Sequence, residues 1–300
     1  MKKLKLFCLA LAAVANLCVG ATLVMAQQQD PPLVVKQLKP DVYWTAGGNG
    51  ANTGIIFGKT GVIVIDAKGS PDSAREVLAQ IAKLTPKPVT YVILTHSDGD
   101  HVNGVEAFPK GLTIIAHENN KKEQEAALAA GRRAPSADHQ PTMIVTKDQE
   151  THVLDGVKVE MFHWGPAHTS GDLVIYLPEQ RIVFTGDITA TNQPDPRIHQ
   201  EKNGSSEGII TTMKGIAALD ADIFVPGHGD TQTRAYLQEK VKRLEEKRKT
   251  IAAMVKQGKS LDEIKAAVGD NSQPPPAGGP NAAPAAPSFT EVVYAELTKK

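Results

Sequence analysis

Apolar residues along the chain recur at two spacings, and the switches between them outline the elements. After a short polar lead, Val42 to Trp44, Thr53 to Phe57 and Val62 to Ile65 read as strands, the last one buried. Gly47, Gly48, Gly50 and Gly58 punctuate them. Asp72 to Leu84 takes helical spacing through Ala74, Val77, Leu78 and Ile81. Val89 to Leu94 and Leu112 to Ala116 are apolar runs of strand length, and Val102 to Ala107 and Glu118 to Ala130 read as helical. Val157 to Phe162, Leu173 to Leu177 and Ile182 to Thr185 are three more strands, the last two joined by a turn at Pro178 to Gln180. A helix over Ser206 to Leu219 and a short strand at Ile223 to Val225 complete the pattern. The second half repeats the strand-then-helix rhythm of the first, which predicts a layered α/β protein with sheets inside and helices outside.

Downstream, Arg234 to Lys256 is a long amphipathic helix with an apolar stripe at Leu237, Val241, Leu244, Ile251 and Val255. Ser260 and Glu263 form a capping-box pair that opens another helix ending near Val268. Residues 271–288 are dense in proline, alanine and glycine and read as a linker. Residues 289–300 return to helical spacing and are placed to dock back on residues 27–270, the main domain.

The first 26 residues have the layout of an export signal. Lys2, Lys3 and Lys5 precede the apolar run Leu6 to Met25, and Val24 and Ala26 supply the small residues a signal peptidase needs before Gln27. An uncleaved anchor is the alternative, since the run approaches spanning length. Cleavage would place the chain outside the cytoplasm, in the periplasm or secreted, with no stable membrane association. Both cysteines, Cys8 and Cys18, leave with such a signal, so the mature chain has neither disulfide nor thiolate ligand. Losing three lysines and no acid moves the balance from 33 basic against 33 acidic residues to 30 against 33. The basic residues between Arg234 and Lys249 are interleaved with acids and read as a solvated helix face. Nothing in the charge argues for a nucleic-acid partner, and the expected partner is a small molecule.

The chemistry concentrates in Thr95-His96-Ser97-Asp98-Gly99-Asp100-His101, directly after the buried strand Val89 to Leu94. Four metal-binding side chains within six residues at the carboxyl end of a strand can point at one spot above a sheet, where α/β folds place ligands. The competing reading is a polar loop whose aspartates cap the next helix. Three later signals add to the first: His168 on the loop before the strand from Leu173, Asp187 after Phe184-Thr185-Gly186, and His228 after Val225-Pro226-Gly227. Each is weak alone. Together they put a ligand beside each successive strand.

This pattern resembles the metallo-β-lactamase superfamily, whose signature is His-x-His-x-Asp-His followed by a histidine, an aspartate or cysteine, and a final histidine. The similarity runs from about Val42 to Gly229. It implies a four-layer αββα sandwich, two divalent metal ions and a hydrolase. By position, His96, Asp98 and His168 would hold one ion, Asp100, His101 and His228 the other, and Asp187 would bridge them. Asp66, at the end of Val62 to Ile65, matches the aspartate that supports the site from behind.

One position departs from the signature: Asp98 stands where the second histidine is usual. Asp98, Asp100 and Asp187 then bring −3 against +4 from two divalent ions. A carboxylate ligates zinc, and hard oxygen donors also favour iron or manganese. Zinc leads the expectation, because the flavodiiron branch, which has a carboxylate there, also carries a flavin domain that this chain lacks. The implied chemistry is metal-activated water attacking an amide, lactam, lactone, ester or thioester, with Asp100 as orienter and proton carrier. A β-lactamase proper, a diiron redox protein and a non-catalytic metal-binding protein are the alternatives. The lactamase cysteine and downstream lysine find no match, and Asp187 in the bridging place is similar to glyoxalase-type thioesterases and lactonases. Arg197, His199 and Lys202 are candidates for gripping an anionic substrate or for plain surface positions. His117, His139, His152 and His163 read as structural, and Trp44 and Trp164 as packing, with Trp164 near enough to His168 to wall the site.

Overall fold

The computed structural model describes residues 30–191, 193–270 and 286–299. The signal-like segment and most of the linker lie outside the described residues. No helix among the described residues is long and apolar enough to cross a membrane.

The first half runs β1 (Val34–Lys39), β2 (Val42–Ala46), β3 (Thr53–Phe57), β4 (Val62–Ile65), α1 (Pro71–Leu84), β5 (Val89–Ile93), α2 (Gly99–Val102), β6 (Thr113–His117), α3 (Glu118–Ala129) and β7 (Met143–Val145). Its seven strands lie in sequence order, antiparallel from β1 to β4 and parallel from β4 to β7. The second half runs β8 (Gln149–Leu154), β9 (Val157–Phe162), β10 (Val174–Leu177), β11 (Ile182–Gly186), α4 (Ser206–Ala218), β12 (Ile223–Pro226), α5 (Arg234–Lys256), α6 (Leu261–Val268) and α7 (Phe289–Thr298). Its five strands are ordered β12-β11-β10-β9-β8, with only β11 and β12 parallel.

Side-chain alternation along the strands separates three apolar interfaces and so builds the expected αββα sandwich. Ile63 and Ile65 of β4, Ile93 of β5, Ile175 and Leu177 of β10 and Phe184 of β11 meet between the two sheets. Their neighbours Val62, Val64 and Val92 point the other way, onto Ala74, Val77 and Ile81 of α1. Val174, Tyr176 and Val183 face a third layer made by Met213 and Ile216 of α4, Leu237, Val241 and Leu244 of α5, and Phe289 of α7. The capping box at Ser260 and Glu263 forms as predicted. A second one at Ser288 and Glu291 starts α7, whose Phe289, Val292 and Val293 are buried against this layer.

Three strands were not legible in the pattern. β1 lies at an edge of its sheet and β8 at an edge of the other, and both mix exposed with half-buried positions. An edge strand with one wet face carries little apolar signal. β7 is only three residues long.

Candidate metal centre

All the cluster residues arrive at one edge of the sandwich because strand direction sends them there. β4, β5, β11 and β12 all deliver their carboxyl ends to this edge, followed respectively by Asp66, by Thr95 and His96, by Asp187, and by Gly227 and His228. β10 is antiparallel to β11, so its amino end, preceded by His168, reaches the same edge. The short α2 then turns Asp100 and His101 inward.

The seven candidate ligands of the sequence come together in three overlapping groups: His96, Asp98 and His168; Asp100, His101 and His228; and His96, His101 and Asp187. Asp98 Oδ2 lies 3.2 Å from His168 Nε2 and 3.7 Å from His96 Nε2. Asp100 Oδ2 lies 2.9 Å from His228 Nε2 and 3.9 Å from His101 Nε2. Asp187 stands between the groups, with Oδ1 3.2 Å from His101 and Oδ2 3.6 Å from His228 and 4.0 Å from His168. Asp98 occupies the N-cap position of α2, but its side chain makes no capping bond. The helix-capping reading of this loop therefore fails for Asp98.

A network behind the ligands fixes which nitrogen faces the centre. His101 Nδ1 donates to Asp66 Oδ2 at 2.8 Å, and His168 Nδ1 donates to the Arg197 carbonyl at 2.9 Å. Asp66 also accepts from the Thr95 amide and hydroxyl, each at 2.8 Å, and holds a left-handed backbone at φ 60°. Thr95 Oγ1 in turn lies 3.0 Å from His96 Nδ1. With their Nδ1 atoms engaged outward, the imidazoles turn Nε2 inward. Gly227 is required by close approach: a Cβ there would sit 2.2 Å from Asp187 Oδ1 and 2.7 Å from His101 Cε1.

The electrostatics are those of facing opposite charges. Burial alone would push the carboxyls up and the imidazoles down, and in each case the neighbours overcome it. His168, His199 and His96, close around it, hold Asp98 well below the carboxylate range. His101 and His228 bring Asp100 to about 2, and His101 draws Asp187 down as well. Asp66, Asp187 and Asp100 raise His101, Asp98 raises His168 to about 9, and Asp100 raises His228.

The donors fit a metal on grounds beyond residue type. His96 Nε2, His101 Nε2 and Asp187 Oδ1 are buried and have no hydrogen-bond partner, although His101 and Asp187 are close enough for one. Buried polar atoms left unpaired are costly, and three of them converging in one cluster suit a cation. A cavity of about 200 Å³ opens onto the cluster and is lined by Asp98, Asp100, Asp187, Gln193, Arg197 and His228 among others. A larger recess of about 660 Å³ beside Asp30, Asp72 and Glu76 contains none of these donors.

Other residues fall differently from their sequence readings. Of the anion-gripping candidates, Arg197 is exposed and lines the cavity. His199 and Lys202 instead turn onto Asp98, with Lys202 Nζ 2.5 Å from Asp98 Oδ1 and His199 Nε2 3.1 Å from Asp98 Oδ2. Trp164 stacks on Phe162, with ring centroids 4.8 Å apart, and packs against the α4 layer; it is not among the residues lining the cavity. His117 caps α3 and stacks on His163, His139 lies against Phe108 O and Glu106, and His152 pairs with Glu150. Lys68 escaped notice in the sequence. It is fully buried, with Nζ bonded to the carbonyls of Gly47 and Ala51, and burial lowers it to about 8. No local pattern marks a lysine that closes a glycine-rich loop.

Residues 46–228 match the family model of the metallo-beta-lactamase superfamily, and the chain belongs to that family. Among curated relatives it is 28% identical over 201 residues to the alpha subunit of a 2,4-dinitroanisole O-demethylase from Nocardioides sp. (strain JS1661), covering 66% of this chain and 58% of the relative. It is 24% identical to a linear primary-alkylsulfatase from Pseudomonas sp. (strain ATCC 19151), covering 63% of this chain and 43% of the relative. A type 2 metallo-beta-lactamase from Bacillus cereus is 26% identical over 65% of this chain and 73% of its own. The chain thus spans about half the length of the first two. Among solved structures, a stereoselective inverting sec-alkylsulfatase from Pseudomonas sp. superposes with a TM-score of 0.70 at 16% identity, over 89% of this chain and 50% of its own. A metallo-beta-lactamase from Pontibacter korlensis gives 0.58 at 19% identity, over 71% of this chain and 99% of its own. At these identities the solved structures establish the fold alone.

Proposed function

We propose that the chain is an exported, dinuclear metal-dependent hydrolase that cleaves an ester-like acyl bond (amide, lactam, lactone or thioester) in a small substrate. The observation that carries this reading is the set of buried, unpaired Nε2 and carboxylate atoms converging at the sheet edge. His96, Asp98 and His168 would hold one ion, and Asp100, His101 and His228 the other, with Asp187 shared between them. Zinc leads, with iron or manganese as the alternative for so carboxylate-rich a donor set. Export rests on the leader sequence and its Val24 and Ala26 cleavage pattern.

Bound divalent ions supply an acidified water as nucleophile and polarise the scissile carbonyl. The chain's own residues do the rest. Asp66 and the Arg197 carbonyl hold His101 and His168 with their protons on Nδ1, leaving Nε2 free to ligate. The Asp100 side chain is 43% exposed toward the cavity, where it can orient a water through one oxygen while the other meets His228. It is the residue placed to carry a proton between water and leaving group. Arg197 at the cavity rim suits a substrate with an anionic group.

Arg197 and the likeness to the linear primary-alkylsulfatase support a second reading, cleavage of an alkyl sulfate. A substrate panel separates the two. Purified mature chain, with and without chelator, is given a chromogenic cephalosporin, an aryl ester, a lactone, a thioester and an alkyl sulfate. Chelator-sensitive turnover of an acyl substrate supports the first reading, and turnover of the sulfate alone supports the second. Silence on the whole panel with metal loaded contradicts both.

A further inference from the structure

Replacement of a histidine by Asp98 leaves the first metal position short of an imidazole, and the fold supplies one from elsewhere. We propose that His199 is a fourth ligand of that position, joining His96 and His168 to restore three imidazoles around a single oxygen of Asp98. The inference rests on the dinuclear reading above.

Position is the first argument. His199 lies between β11 and α4, on a segment strapped to His168 by two bonds. The His199 amide donates to the His168 carbonyl at 2.8 Å, and His168 Nδ1 donates to the Arg197 carbonyl at 2.9 Å. The two rings consequently meet edge to face, with centroids 4.9 Å apart at 86°. His96 and His168 meet in the same way at 4.7 Å and 88°.

Proton placement is the second. His199 Nδ1 lies 2.5 Å from Glu201 Oε1, the carboxylate–histidine pairing that supports metal-bound imidazoles. A carboxylate only accepts, so the Nδ1 proton is committed and the neutral ring has a bare Nε2. That atom is buried, lacks a hydrogen bond, and faces Asp98 Oδ2 at 3.1 Å. Two lone pairs so close need a cation between them. A divalent ion there would face Asp98 Oδ2 and His199 Nε2 together.

Distance is the third. Ligands about 2.0–2.1 Å from a tetrahedral ion lie about 3.3 Å from one another. Asp98 Oδ2 lies 3.1, 3.2 and 3.7 Å from the Nε2 atoms of His199, His168 and His96. The other oxygen, Oδ1, is taken by Lys202, which also bonds Ser97 Oγ at 2.9 Å. Asp98 therefore offers the centre one oxygen, not a bidentate carboxylate.

The test counts and titrates metal, so it does not depend on finding the substrate. Zinc content by mass spectrometry and zinc affinity by competition with a chromophoric chelator are measured for wild type, His199→Ala, His199→Gln, Glu201→Gln and the control His152→Ala. Circular dichroism confirms that each is folded, and His199→Gln keeps the bulk of the ring if the alanine variant does not fold. The expected result is two ions per chain in wild type and control. The weaker site should lose at least 100-fold in affinity in the His199 variants and about 10- to 100-fold in Glu201→Gln. Cobalt substitution should show the loss of one nitrogen donor from a four-coordinate spectrum. Two ions in wild type with affinities within threefold in both His199 variants would overturn this inference alone. Fewer than two ions in wild type would overturn the dinuclear reading together with it.

Discussion

Asp66→Asn isolates the support behind the second metal position while changing the side chain by one atom. Asp66 Oδ1 accepts from the Thr95 amide, and Oδ2 accepts from both the Thr95 hydroxyl and His101 Nδ1, all at 2.8 Å. An asparagine that keeps the Thr95 amide bond must present its NH2 where Oδ2 was. The Thr95 hydroxyl can rotate to accept, at the cost of its own proton's acceptor, since His96 Nδ1 at 3.0 Å is itself a donor when Nε2 faces the centre. His101 has no such freedom. Either its Nδ1–H faces an N–H, an unpaired buried donor costing about 1–3 kcal/mol, or the proton moves to Nε2 and blocks the atom that should bind metal. Loss of a carboxylate behind a ligating histidine lowers metal affinity about 10- to 100-fold, or about 1.4–2.7 kcal/mol. The metal-free protein should weaken too, because a buried histidine raised by Asp66 loses its counter-charge. The assay is competitive zinc titration beside thermal melting with and without chelator. A zinc affinity within threefold of wild type in a folded Asp66→Asn variant would refute the tautomer argument.

Three further expectations follow from contacts elsewhere. Gly227→Ala places a methyl 2.2 Å from Asp187 Oδ1, so that carboxylate must move; the variant should fold, judged by circular dichroism, yet retain fewer than two ions by mass spectrometry. Phe289→Ala empties a buried site beneath α7 and should cost about 3–5 kcal/mol in urea unfolding without changing metal content. A cost below about 1 kcal/mol would show that α7 contributes little to the outer layer. Asp98 raises His168 to about 9, so its contribution to metal-free stability is complete below the unfolded value near 6.5 and is lost as pH rises to 9. Chelator-treated protein should accordingly melt lower at pH 9 than at pH 6.5, while zinc affinity, which needs the neutral ring, rises over the same window. Parallel trends in the two quantities would contradict that assignment.

Much of this was legible because the candidate ligands follow strands. His96 to His101 cluster within one loop, and Asp187 and His228 each close an apolar run, so the pattern put a candidate ligand at successive strand ends and the family resemblance grouped them. The inner strands were equally plain, since burial on both faces leaves them continuously apolar, as in β4 and β10. Edge strands β1 and β8 were not, because solvent on one side lets polar residues in. The partners of Asp98 were hidden for another reason. Lys202 lies 104 positions away and His199 sits on an irregular segment, so only the folded chain shows that both turn inward. The aspartate where a histidine is usual marked the position as a departure without pointing to these partners. Lys68 left no hint at all, since its partners are backbone carbonyls that any sequence provides.

The most direct test of the central claim is zinc-dependent turnover by the purified mature chain, followed as metal is stripped by chelator and restored in measured equivalents. Activity on an acyl substrate that vanishes on stripping and returns fully only at two equivalents per chain is the predicted result. Activity that survives complete removal of metal, or that is fully restored by one equivalent, would contradict the dinuclear hydrolase.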